Sequence, residues 1–283
     1  MLVRTRISPG LHAALQTHLA RTGDSVHHAV AAALSAYLER PHHTLFQVST
    51  EGALAHGVST GCMRLEDVLR HGDLGLGTFD HLDGEGILLD GVCWRAAADG
   101  TVARAPPRAL TPFWVVTRFK PERAFEMRDV RDLDDLIVRL DQARATPNVF
   151  AAARLHGRFG FVSWRIIRPA ESRAPAAAGG APTEASQRGR QPLDTHFTAT
   201  RVTGSLVGFF TPLWAAKVNT VGWRLHFISE DRLVAGHVHG LGGADVRAEL
   251  QDFGELHIAL PETAEFMRAD LAGGSKIDLN AND

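Results

Sequence analysis

The chain has 283 residues, 45% of them hydrophobic, which is enough to bury the core of one large domain and leave room for an appendage. Its 30 Lys+Arg against 32 Asp+Glu give a formal net charge of −2, so a globally basic nucleic-acid-coating protein is excluded and any such surface is local. Two cysteines, Cys62 and Cys93, exclude a disulfide framework and a thiolate metal cluster, and they read as buried structural thiols. No apolar run approaches the ~20 residues of a spanning helix and no basic-then-apolar leader opens the chain, so a cytoplasmic protein with no membrane partner is expected.

From Leu2 to Ser8 the residues alternate, with Leu2, Arg4 and Arg6 on one face, which predicts a short strand with a basic side. Ser8 is placed to cap a helix, Pro9 suits its first turn, and Leu11, Leu15 and Leu19 recur at helical spacing until Thr22-Gly23 stops the run. Ser25 opens a second helix whose apolar face is Val26, Val30, Ala33, Leu34, Tyr37 and Leu38, and Pro41 ends it. Strand, helix, turn and helix within residues 1–40 resemble the ribbon-helix-helix DNA-binding family. Such a unit is too small to bury a core alone, and the resemblance implies a homodimer through paired strands. It also implies that Arg4 and Arg6 read double-stranded DNA in the major groove and that the helix start at Ser25 holds a phosphate. The plain alternative is a dimerisation arm whose basic strand is solvated.

From residue 44 the pattern changes to short strands and turns. Leu45–Val48 reads as a strand and Leu65–Leu69 as a helical turn, while the glycines at 72, 75, 77 and 84 permit tight turns and close backbone approach. No Lys-Ser/Thr pair follows them, which excludes a phosphate loop. Glu85 stands between Gly84 and Gly86 ahead of Ile87-Leu88-Leu89, where a carboxylate can face a cavity. Arg154, after Ala151–Ala153, has room beside it for a ligand carboxylate or for a structural ion pair. Val130–Arg144 is an amphipathic helix. Residues 169–192 are Ala, Pro, Gly, Ser and Arg without periodicity and read as a loop between two β-rich halves. Beyond it come strands at 196–200 and 205–210, a hairpin from Trp223 to His239, a strand at 256–260 and a polar tail at 274–283. In that hairpin Arg224 and His226 share one face, as do His237 and His239.

The stretches Leu45–Thr50, His71–Phe79, Leu82–Glu85, Leu89–Gly91, Thr111–Phe113, Pro147–Phe150, Gly204–Phe209 and the hairpin arrive in an order that resembles the acetolactate decarboxylase family over about 45–271. The resemblance implies an α+β fold: a two-part β-rich domain at 44–273, a mixed sheet plus an antiparallel sheet, preceded by the β-α-α unit. It implies catalytic roles for Thr78, Glu85 and Arg154, and a zinc held by three histidines and a glutamate near the C-terminus. His226 and His237 match the second and third histidines, whereas Arg224 stands at the first. An Arg has no lone pair to give a metal. The tail has no Glu, and Asp278 or Asp283 is the nearest substitute. His239, two residues beyond His237, is the candidate replacement ligand.

Two functions follow. One is decarboxylation of 2-acetolactate, or a related small 2-hydroxy-3-oxo acid, to acetoin, with Arg154 on the substrate carboxylate and Glu85 as proton donor. The other is a ligand-sensing, DNA-binding regulator in which Arg154 and Arg224 hold such an acid without turning it over. A third option keeps the enzyme and uses residues 1–40 for dimerisation alone.

Overall fold

The computed structural model of the chain describes residues 4–22, 26–38, 43–168 and 193–271. Contacts along it divide the chain into two compact units, Met1–His43 and Thr44–Asp283. In the first, helix α1 (Pro9–Thr22) starts at the expected cap: the Leu11 N–H donates to the Ser8 hydroxyl at 3.2 Å. Helix α2 (Val26–Tyr37) follows. Their apolar side chains find no core here, Leu11 and Leu38 remaining 58% and 60% exposed. Residues 4–8 form no strand, contrary to expectation, because a strand needs a ladder for its N–H and C=O groups and a single copy offers none. Leu2 and Ser25 lie outside the described residues.

The second unit runs β1 (Thr44–Val48), α3 (Glu51–Ala55), β2 (Met63–Arg64), α4 (Leu65–Val68), β3 (Leu74–Thr78), β4 (Glu85–Leu89), β5 (Val92–Ala96), β6 (Val102–Arg104), β7 (Leu110–Thr111), β8 (Phe113–Thr117), β9 (Arg123–Val130), α5 (Leu133–Ala143), β10 (Phe150–Arg168), β11 (Leu193–Thr211), β12 (Gly222–Ser229), β13 (Ala235–Gly242), β14 (Ala244–Phe253), β15 (Glu255–Ala259) and a last short helix, Ala264–Arg268. One sheet has the order β15-β1-β8-β3-β4-β5-β6 and is mixed, because β1 and β15 run parallel while its other neighbours are antiparallel. The other is antiparallel, in the order β11-β12-β13-β10-β14-β9, with β10 also paired to β11, so β10, β11, β12 and β13 close into a ring. The β-rich, two-sheet expectation stands. The strands read separately at 196–200 and 205–210 are one continuous strand, β11. Helix α5 is shorter than read and starts at Asp132, whose carboxylate accepts from the Asp135 N–H at 2.8 Å.

The strands β3, β4 and β8 are buried throughout, so the mixed sheet is covered on both faces. Leu76, Ile87 and Val115 face the other sheet and pack with Phe159, Val162, Leu206 and Phe227. Leu88, Trp114 and Val116 face the opposite way, onto Leu65 and Val68 of α4. The fully buried Trp114 lies across its neighbours where Gly77 and Gly86 leave room, and a Cβ at either glycine would overlap the indole. This packing predicts that Gly86→Ala lowers stability by about 1–3 kcal/mol, a loss of roughly 3–10 °C in Tm that thermal denaturation would read.

Candidate functional site

The site forms where the end of β3 and the start of β4 meet β12, β13 and the C-terminal part of β10. Thr78 and Glu85 are cross-strand partners, as are His226 and His237. Backbone contacts lock the two sheets together here: the Ile167 N–H donates to Glu85 Oε1 at 3.3 Å, and the Gly84 N–H to the Ile167 carbonyl at 3.3 Å. Thr78 donates its hydroxyl to the Gly84 carbonyl at 2.8 Å, bracing the turn that delivers Glu85. Gly84 itself sits at φ +94°, a conformation that needs glycine.

A small cavity of about 20 Å³ is lined by Leu54, Thr78, Glu85, Phe113, Arg165, Arg224 and His226, among others. It has room for about one water. Its walls carry two guanidinium groups, each with its own carboxylate. Arg224 Nη1 lies 3.3 Å from Glu51 Oε1, and Arg165 Nη1 lies 2.5 Å from Asp194 Oδ2. Glu51 is held in turn by the Thr220 hydroxyl and by the Thr220 N–H at 2.5 Å. Beside it the Asn219 side chain donates to Gln47 Oε1 at 3.1 Å, so a buried polar seam joins β1 and α3 to the entry of β12.

Burial pushes the Glu85 carboxyl up to about 7, against the opposing pull of Arg224 and then Arg165. Burial, followed by the Arg224 charge, brings His226 down to about 3 and holds His237 well below its ordinary value. Both imidazoles are therefore neutral at pH 7. His226 Nδ1 is 3.1 Å from the Gly86 carbonyl, which can only accept, so Nδ1 carries the proton and Nε2 the lone pair. His237 Nδ1 approaches that Nε2 at 3.3 Å and donates to it. Glu85 Oε2 is 3.6 Å away from the same nitrogen.

Of the residues singled out in the sequence, Thr78, Glu85, Arg224, His226 and His237 come together, and two others do not. Arg154 is eleven residues before Arg165 on β10, an odd separation that puts it on the opposite face. It binds Glu249 at 2.8 Å and Asp90 at 2.6 Å beside a separate depression of about 320 Å³. Arg165 occupies the cavity instead; its signal was a lone Arg inside the apolar run Val162 to Ile167. His239 sits at a bulge, since Val238 pairs with Trp164 and Gly240 with Ser163, which leaves it the extra residue. The bulge breaks the two-residue alternation and turns His239 toward His196, whose Nδ1 is 3.3 Å from its Nε2. Glu51 and Asp194 also escaped the sequence reading, and Glu51 is disguised as an ordinary acidic residue following the Thr50 N-cap.

The expected zinc does not fit this donor set. Among the described residues no three His, Cys, Asp or Glu side chains converge as metal ligands. Arg224, which the family resemblance sets at the position of a ligating histidine, lines the cavity beside His226 and has no lone pair to give a metal. Asp278 and Asp283 lie outside the described residues, as does the segment 169–192.

Two stability measurements test this electrostatic reading. Glu51→Ala leaves the Arg224 charge buried without its partner and is expected to cost about 3 kcal/mol or more in chemical denaturation. The Glu85 carboxyl, raised from 4.5 to about 7, binds its proton more tightly in the folded than in the unfolded chain, so stability is lost as pH climbs between those values. Glu85→Gln removes that loss, and its stability relative to the parent is expected to rise by up to about 3 kcal/mol across this window.

A family model for alpha-acetolactate decarboxylase matches residues 45–273. The chain is 34% identical to the alpha-acetolactate decarboxylase of Brevibacillus brevis over 231 residues, 82% of this chain and 78% of that one. It is 34% identical to that of Methylococcus capsulatus over 230 residues, covering 81% and 85% of the two chains. Its fold superposes on the crystal structure of the Bacillus subtilis strain 168 enzyme with a TM-score of 0.71 at 30% identity, covering 81% of this chain and 94% of that chain. No helix among the described residues is long and apolar enough to cross a membrane. The two-sheet fold, the matched span and these relatives agree: the chain belongs to the alpha-acetolactate decarboxylase family.

Proposed function

We propose that the chain decarboxylates 2-acetolactate, or a closely related 2-hydroxy-3-oxo acid, to acetoin in the cavity between its two sheets. The observation that carries this reading is a buried carboxyl, Glu85, with its proton retained up to about pH 7, facing the two guanidinium groups of Arg165 and Arg224. In the reaction the C1–C2 bond breaks and carbon dioxide leaves. The bonding pair moves into the C3 ketone, giving an enediolate whose oxygen needs positive hydrogen-bond donors. Glu85 then delivers its proton to C2 and regains one from solvent, so that substrate anion plus one proton becomes acetoin plus carbon dioxide. Arg165, anchored by Asp194, holds the substrate carboxylate. Thr78 keeps the Gly84 turn in place under Glu85. No step passes through a metal. As it stands the cavity holds only about one water, so binding the acid requires it to widen.

Incubating the purified chain with racemic 2-acetolactate and assaying acetoin and carbon dioxide tests the reading. Turnover is expected, with kcat falling about 10²–10⁴-fold in Glu85→Gln and, in the parent, as pH rises through about 7. A chain that yields no acetoin above the spontaneous rate sinks it.

The N-terminal unit favours a second reading, a ligand-sensing regulator that binds double-stranded DNA as a homodimer. Ile7, Leu11, Val30, Leu34 and Leu38 are all more than 40% exposed in a unit too small for its own core, a state that a second copy would relieve. Arg4 and Arg6 are exposed beside them. Salt-sensitive duplex binding is expected, weakened roughly tenfold or more in the Arg4→Ala, Arg6→Ala double variant. Duplex binding that is absent, or indifferent to both substitutions, leaves residues 1–40 as a pairing arm.

A further inference from the structure

We propose that Arg224, countered by Glu51, takes over the charge that a metal would supply, so that this chain binds a 2-hydroxy acid anion through the Arg165 and Arg224 guanidinium groups with no metal bound. The inference rests on the ligand class of the proposed function and goes beyond it by naming what holds the ligand.

Three observations carry it. The first is the charge pattern of the walls. Arg224 and Arg165 both line the cavity, and their counter-ions Glu51 and Asp194 are absent from its lining. Among the described residues, a dication entering there meets two fixed cations, the His226 imidazole in contact with His237, and the Glu85 carboxyl. An incoming carboxylate meets the opposite situation, since both guanidinium groups attract it. The second is an orphaned donor. Arg224 Nε is buried and has no hydrogen-bond partner, a state that costs free energy until an acceptor arrives. A carboxylate or enolate oxygen in the cavity is such an acceptor. The third is that the cation is built in. Arg224 is braced from behind by Glu51, itself fixed by Thr220, and its guanidinium lies 5.7 Å from the centre of the Phe113 ring. The guanidinium thus has a dedicated carboxylate and an aromatic wall, and by the family resemblance it occupies the position of a metal-ligating histidine.

The experiment uses the full chain and a stable probe, 2-hydroxy-2-methylpropanoate, which has the tertiary hydroxy-acid half of acetolactate and no ketone to lose carbon dioxide. Calorimetric titration is run after EDTA treatment and again with added zinc, and zinc uptake is measured separately with a fluorescent chelator. Expected are the same affinity with and without EDTA, zinc uptake well below one per chain, and stoichiometric uptake in Arg224→His. Removing the cation alone could unfold the chain by stranding Glu51. The paired Glu51→Gln, Arg224→Met variant keeps the volume without a buried charge. It is expected to stay folded by circular dichroism and to bind the probe about 10- to 100-fold more weakly, the range for losing charge-assisted hydrogen bonds. Probe binding that disappears in EDTA and returns with zinc overturns the inference. So does failure of the parent to bind the probe, or an affinity unchanged in the paired variant. These outcomes separate from the proposed reaction: acetoin formed only with zinc would keep that reading and end this one, whereas EDTA-resistant binding without acetoin would do the reverse.

Discussion

The long antiparallel pairing of β10 with β11, from Ala151↔Phe210 to Arg168↔Leu193, is the constraint on which the site depends. Two strands of this length twist enough that their far ends serve different neighbours. The first part of β10 pairs with β14, while its last part pairs with β13 at Arg165↔His237. The end of β11 pairs with β12, which carries Arg224 and His226. One register thus sets the positions of Arg165, Arg224, His226 and His237 together. A slip of one residue would turn every one of them to the wrong face. The mixed sheet needs only to offer the Thr78–Glu85 end of a hairpin, which Gly84 and the Thr78 hydroxyl hold in place.

Burial gives this small set of groups its character. Glu85 and His226 are 5% and 1% exposed, so each is driven to its neutral form, and the charges that persist are those with partners close by. A carboxylic acid with its proton still attached, next to two permanent cations, is an arrangement that water would erase. The desolvation that makes the pairs costly to bury also strengthens their pull on an anion.

Much of this was legible in the residues. Residue patterns located β1, β11, the β12–β13 hairpin and β15 and placed Arg224 with His226, and the glycines around Glu85 marked it as a carboxylate in a special position; the division into two sheets came from the family resemblance. Three things escaped, each for a local reason. Arg154 and Arg165 lie on one strand, and only its parity, counted from the cavity, says which faces inward. His239 obeys the two-residue rule until a single bulged residue cancels it, and bulges leave no reliable mark in sequence. Glu51 is distant from Arg224 along the chain, and its role exists only once α3 and β12 are brought side by side. The helical unit shows a different limit: its apolar periodicity was plain, yet periodicity marks an apolar face without naming what packs on it.

The closed ring of β10, β11, β12 and β13 also governs how this domain meets other molecules. Strand β10, flanked by β11 on one side and by β14 and then β13 on the other, cannot recruit foreign backbone, so the strand that carries Arg165 offers little template for aggregation. The outer strands of the two sheets include β9, β6 and β15. Of these β9 is studded with Arg123, Glu126, Arg128 and Asp129, and β15 begins with Glu255 and carries His257, side chains that discourage edge-to-edge growth. A fold that seals its working strands and charges its borders can carry a cluster of buried ionic groups through folding with less risk of being trapped in the wrong company.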